Sequence, residues 1–207
     1  MKSAMVGAVV LAAGLIGFGM LPGVASADMV VNGGFETGLT GWTTNPSPTG
    51  SFPWEPATTG SSPGPFAGTG YATTGCEGPT CTSGPGGAFL TQILPTTAGQ
   101  TYTLSFAYDP NAGQTSELVV DWGGTQVFDQ INGAAVYTVH TITGLVPTDG
   151  ATNLTFFGRQ DPSFNGLDNV SVNPTGAATP EPSTLLLATS VLPGLVGLGM
   201  VRRRKMK

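Results

Sequence analysis

Two cysteines, one histidine, twelve acids and a few aromatic rings carry the chemistry available to this 207-residue chain. Cys76 and Cys81 are the only thiols, separated by Glu77-Gly78-Pro79-Thr80. Gly78-Pro79 favours a tight turn that brings the sulfurs together, so the pair reads as a disulfide staple closing a small loop. Two thiols without further ligands nearby make a poor zinc site, and the spacing is not that of a C-x-x-C redox pair. His140 stands among Thr138, Val139 and Thr141. A Ser-His-Asp unit needs a nucleophile and a carboxylate on either side of the ring, and no nucleophile elbow is present. Glycosidase chemistry needs two carboxylates facing each other across a cleft. In the hairpin expected around Gly123-Gly124, Asp121 faces Gln126 and Asp129 faces Leu118, so no acid meets an acid. No catalytic residue is assigned and an enzyme is not expected, with an envelope glycoside hydrolase as the remote alternative.

Binding chemistry has more to work with. Sugars present flat C–H faces that aromatic rings cover, and hydroxyls that acids and amides bind. Trp54, Phe66 and Tyr71 lie in an irregular stretch, and Trp122 stands beside the Gly-Gly turn. Trp54, Tyr71 and Trp122 are therefore the candidate ligand-binding aromatics, although a structural role is the first reading of each Trp. Charge limits the partners. Of seven bases, only Arg159 lies between residues 28 and 179, against eleven acids. Such a body repels nucleic acid phosphates and anionic lipid heads, so no nucleic acid partner is expected.

These residues must be positioned mostly by strands. Gly 32 and Pro 17 make nearly a quarter of the chain, and charged residues only 9%, which excludes a coiled coil or long helical bundle. In Thr101 to Tyr108, Tyr102, Leu104, Phe106 and Tyr108 share one face and the threonines and Ser105 the other, the mark of a half-buried strand. Met29–Asn32, Ala88–Leu94, Thr115–Trp122, Thr125–Gln130, Val136–Thr143, Thr152–Phe157 and Leu167–Val172 read likewise, and Gly123-Gly124 suits a two-residue hairpin turn. About eight short strands predict an all-β, antiparallel β-sandwich over residues 28–176. Residues 41–88 hold 11 Gly and 8 Pro and are expected to form a long irregular excursion.

Both ends are distinct. Lys2, an apolar run from Ala4 to Met20, and Ala25-Ser26-Ala27 make a signal peptide over residues 1–27, with signal peptidase cutting after Ala27. At the other end Pro180-Glu181-Pro182 precedes nineteen uncharged residues, Ser183 to Val201, and then Arg202, Arg203, Arg204 and Lys205. That run is long enough to span a bilayer as a helix. The basic cluster would stop transfer and stay cytoplasmic, leaving residues 28–179 outside. The combination over residues 177–207 resembles the PEP-CTERM sorting signal of exported Gram-negative proteins, often those of the exopolysaccharide or biofilm layer. The resemblance implies recognition by an exosortase near Pro180, Glu181 and Pro182. It also implies transient membrane anchoring and a final place in the periplasm, on the surface or outside the cell. Physically, two prolines hold the motif extended and readable by a protease.

A second resemblance lies inside the body. Val31-Asn32-Gly33-Gly34-Phe35-Glu36-Thr37-Gly38 with Gly41-Trp42, and Gly166-Leu167-Asp168-Asn169-Val170-Ser171-Val172, are similar to the opening and closing segments of galactose-binding-like jelly rolls, which include many carbohydrate-binding modules. It implies that Trp42 packs in the core and that Glu36 and Asp168 lie close together and hold a structural calcium ion, with a carbonyl near Gly34. The other reading of the acids is pairing with Arg159, the one cation of the body, which also has Asp161 two residues away as an ion-pair partner. The chain thus reads as an exported, exosortase-sorted envelope or matrix protein. Its β-sandwich is non-catalytic, with a structural or adhesive role in the exopolysaccharide layer. The alternative is a carbohydrate-binding module with a specific glycan.

Overall fold

The computed structural model describes residues 27–45, 52–77, 81–82, 84–111 and 115–175. Ten strands follow in order: β1 (Thr43–Thr44), β2 (Glu55–Thr58), β3 (Gly70–Gly75), β4 (Ala88–Leu94), β5 (Tyr102–Asp109), β6 (Thr115–Trp122), β7 (Thr125–Ile131), β8 (Thr138–Leu145), β9 (Thr152–Asp161) and β10 (Phe164–Pro174). They form two five-stranded antiparallel sheets, β1-β4-β9-β6-β7 and β2-β3-β10-β5-β8. A single 3-10 turn, Gly84–Gly86, is the only helical element among the described residues. None of their helices is long and apolar enough to cross a membrane. The expected signal peptide and membrane helices, the sorting motif and the basic tail lie outside the described residues.

Alternation builds the core. Tyr102, Leu104 and Phe106 of β5 point inward, with Leu167, Val170 and Val172 of β10 beside them. Opposite stand Leu118, Val120 and Trp122 of β6 and Leu154 and Phe156 of β9. Phe106 and Phe156 meet edge to face, with centroids 5.4 Å apart, and so join the sheets. Trp42 packs on Phe35 and Phe156, as the jelly-roll resemblance implies. Each fully buried ring or leucine of this set contributes about 1.5–3 kcal/mol relative to exposure.

Seven of the eight expected strands form, several running longer than their sequence pattern. Met29–Asn32 does not. It bends and turns instead, with Asn32 and Phe35 at positive φ. It docks on β10 through Met29 N–H to the Val172 carbonyl, while Asp28 Oδ1 accepts from Val172 N–H. The stretch expected to be irregular contains β1, β2 and β3, and β3 sits between β2 and β10 inside a sheet. Cys76 and Cys81 are disulfide-bonded, with Cα atoms 5.7 Å apart, just after β3.

The β6–β7 hairpin turns at Gly123 and Gly124, both at positive φ (58° and 81°), as a primed two-residue turn requires. Asp121 pairs with Gln126 as expected, but Asp129 pairs with Val119 rather than Leu118. The register shifts between Val120 and Asp121, where β7 carries Val127 as an extra residue, so every pair beyond it moves by one.

Candidate functional site

A cleft of about 480 Å³ opens where β7 and β8, the exposed edge strands of the two sheets, come to one end of the sandwich. The β6–β7 hairpin supplies Trp122, Gly123, Thr125 and Val127 to one wall. The end of β8 and the β8–β9 loop supply Leu145, Val146, Thr148 and Asp149, and the start of β9 adds Thr152 and Asn153. The hairpin is held to β9 by Gly123 N–H donating to the Asn153 carbonyl, 2.9 Å. The loop is held by Thr96, whose hydroxyl donates to the Asp149 carbonyl (3.1 Å) and lies 2.8 Å from the Thr152 hydroxyl. Asp149 Oδ1 accepts from Ala151 N–H, 3.1 Å, and the other carboxylate oxygen accepts no hydrogen bond among the described residues. Thr125, Thr148, Asp149 and Asn153 are exposed. The cleft therefore combines two apolar valines, two exposed hydroxyls, a carboxylate and an amide.

Trp122 forms its floor rather than an exposed platform. It is 5% exposed, tilts against Tyr102 at 5.9 Å, and its buried Nε1–H has no hydrogen-bond partner. The other two candidate aromatics are corrected more fully. Trp54 is 1% exposed and belongs to the core, with Nε1–H donating to the Ala88 carbonyl (3.2 Å). Space for it comes from Gly158 of β9, where a Cβ would stand 2.6 Å from the Trp54 ring. Tyr71 is 0% exposed. Its neighbour Ala72 is in the core, so Tyr71 lies on the opposite face of its sheet. That face is not open. The β2–β3 connection lies over it, with Pro63 beside Gly166 and the Gly64 carbonyl accepting from Tyr137 Oη–H (2.7 Å). Phe66 is partly exposed and packs on Tyr137 at 5.5 Å.

Glu36 and Asp168 are brought together. A Cβ on Gly34 would stand 3.7 Å from Asn169 Oδ1, 4.0 Å from Asp168 Oδ1 and 4.0 Å from Glu36 Cγ. Asp168 is fully buried; its Oδ2 accepts from Phe66 and Ala67 N–H (2.9 and 3.0 Å) and its Oδ1 from Asn169 N–H (2.7 Å). Burial pushes its carboxyl above the usual range, the three amides oppose this, and the Glu36 charge adds to the rise. Glu36 is held below the usual range by the Thr69 hydroxyl and the backbone N–H groups of Thr69 and Gly70. No group of three or more His, Cys, Asp or Glu that could hold a metal occurs among the described residues. Any cation here would rely on the two carboxylates, the Asn169 amide oxygen and carbonyls.

Arg159 does not serve these acids. It sits on β9 opposite Glu117 of β6, with its Nε buried and unpartnered, and no ion pair with Asp161, Asp168 or Glu36 occurs among the described residues. Backbone amides have taken the acids' acceptor sites instead. Asp161 lies at the end of β9, opposite Thr115. His140 packs on Phe128 and Phe106, with centroids 4.7 and 5.3 Å away, and burial lowers its pKa.

No family model and no curated protein matches the sequence. Solved structures do match in fold. TmCBM61, solved with β-1,4-galactotriose, is 16% identical, covers 72% of this chain and 99% of its own, and has a TM-score of 0.51. The K1 cleaved adhesin domain of Lys-gingipain from Porphyromonas gingivalis W83 is 14% identical over 69% of this chain and 96% of its own, with a TM-score of 0.50. The CBM22-1–GH10 modules of Clostridium thermocellum xylanase 10B, complexed with xylohexaose, are 13% identical over 74% of this chain at a TM-score of 0.50. This chain spans 30% of that longer xylanase chain. The fold is thus a two-sheet antiparallel β-sandwich like that of TmCBM61 and the gingipain adhesin domain.

Proposed function

We propose that residues 28–176 are a non-catalytic glycan-binding module and that the cleft floored by Trp122 is its sugar site. One observation carries this reading. The β6–β7 hairpin and the β8–β9 loop frame a space of about 480 Å³ with exposed Thr125, Thr148, Asp149 and Asn153 around Val127 and Val146. Hydroxyl, carboxylate and amide groups hydrogen-bond sugar hydroxyls, and the valines cover C–H faces. The shared fold with a galactotriose-binding module supports a sugar as occupant.

The same reading includes export, exosortase processing near Pro180-Glu181-Pro182 and a place in the exopolysaccharide layer, where glycan binding acts as adhesion. A structural calcium ion belongs to it as well. Asp168 is a fully buried carboxylate beside a second carboxylate, with no cationic side chain paired to either among the described residues, and the oxygens around Gly34 are of the hard type calcium takes. Glu36, Asp168 and Asn169 would hold the ion, which would fix the opening and closing segments to each other.

A glycan array probed with residues 28–176 in calcium tests the function. Binding to a defined sugar class, lost in Asn153→Ala with an unchanged melt, is the expected result. Absence of binding to every sugar would overturn it.

A further inference from the structure

Electrostatics narrows the occupant of this cleft. We infer, resting on the glycan-binding reading, that the site takes glycans free of carboxylate, sulfate and phosphate, and that it favours amino sugars whose ammonium lies near Asp149. The described lining contains one charged side chain, Asp149, and no cation. One of its carboxylate oxygens is committed to Ala151 N–H, and the second accepts no hydrogen bond among the described residues. Asp121, next in sequence to Trp122, adds a further negative charge behind the hairpin. Arg159 offers no compensation. It lies on β9 six residues from Asn153, its partner in register is Glu117, and no other base occurs between residues 28 and 179.

Recognition of a uronate or a sulfate is built from Arg or Lys, because those groups match the anion in charge and geometry. Here an acidic polymer would enter a cleft with no donor cation, and approach a body of ten net negative charges. A neutral polymer meets no such barrier. A glucosamine-type polymer gains, because its ammonium finds a carboxylate with a free oxygen and a field of the favourable sign. The repulsion reaches about 10 Å at 0.1 M salt, so it acts on the acidic groups of the chain that lie nearest Asp149.

The test compares binding of three oligosaccharide sets by the full chain in detergent and by residues 28–176: neutral galactans and glucans, chitosan oligomers, and polyuronates. Each is measured at about 0.05 and 0.5 M salt. The expected result is that chitosan binds best at low salt, by roughly fivefold or more over the neutral set, and that polyuronates do not bind. Asp149→Asn keeps the oxygen that accepts from Ala151 N–H and should abolish the preference, so that chitosan binds the variant no better than the neutral set measured on the same variant. Polyuronate binding equal to neutral binding would overturn this inference and leave the glycan module standing. A chitosan preference untouched by Asp149→Asn would also overturn it. No binding by any set would overturn the module reading together with it.

Discussion

Phe66 N–H donates to Asp168 Oδ2 at 2.9 Å, tying residues 102 positions apart in sequence. Ala67 N–H makes the same bond at 3.0 Å, so one buried carboxylate of β10 fastens the connection between β2 and β3 across its sheet. Tyr137 holds the same connection from a second side, through its hydroxyl to the Gly64 carbonyl and its ring against Phe66.

Replacing Asp168 should therefore loosen this connection before it unfolds the sandwich. Asp168→Asn presents an amide to N–H groups that need acceptors, and costs about 1–3 kcal/mol. Urea denaturation in a chelator reads the loss, and hydrogen exchange at Phe66 and Ala67 should accelerate most. Unchanged exchange at those amides would contradict the anchoring role.

Calcium should change the pH profile through the same residue. Burial raises the Asp168 pKa, so in the apo protein its contribution to stability is greatest at low pH and is lost as pH rises through the folded value. A bound divalent ion stabilises the ionised form and reverses that loss. The melting temperature should rise on adding millimolar calcium at pH 7, and the rise should shrink as pH falls and the Asp168 carboxyl takes up its proton. Equal melts with calcium and with chelator at pH 7 would remove the ion from the account.

His140 acts in the opposite sense. Its folded pKa is lowered by burial against Phe106 and Phe128, so its contribution is complete above the unfolded value of about 6.5 and is lost as pH falls through it. Wild type should lose stability relative to His140→Phe between pH 7.5 and 5.5. Parallel stability curves for the two proteins would contradict this.

The ends make a separate prediction. Glu181→Ala should leave export intact and block exosortase processing, seen on a gel as a retained C-terminal segment. Normal processing of that variant would remove the sorting reading.

Much of the sandwich was legible because alternating burial marks β4 and, in β5, Tyr102, Leu104 and Phe106. β3 was not legible, because Gly70–Gly75 is covered on both faces and alternation vanishes when burial is two-sided. The Pro and Gly residues around it then read as loop. Trp54 looked exposed for the same reason, although its indole reaches the Ala88 carbonyl inside the core. The one-residue slip at Val127 had no signal in composition, since a bulge depends on the twist of the paired strands. The proximity of Glu36 and Asp168 was legible only through resemblance. The cleft was legible in part: Gly123-Gly124 marked the hairpin and put Trp122 beside it. Asp149 and Asn153 come from a loop that only the folded topology brings to the same place.

The most direct measurement is a glycan array probed in parallel with residues 28–176 of wild type and of Asn153→Ala. The account predicts a narrow, non-acidic sugar class bound by wild type and lost in the variant, with equal melting temperatures. Binding to no sugar, or binding that survives the loss of Asn153 unchanged, would contradict it.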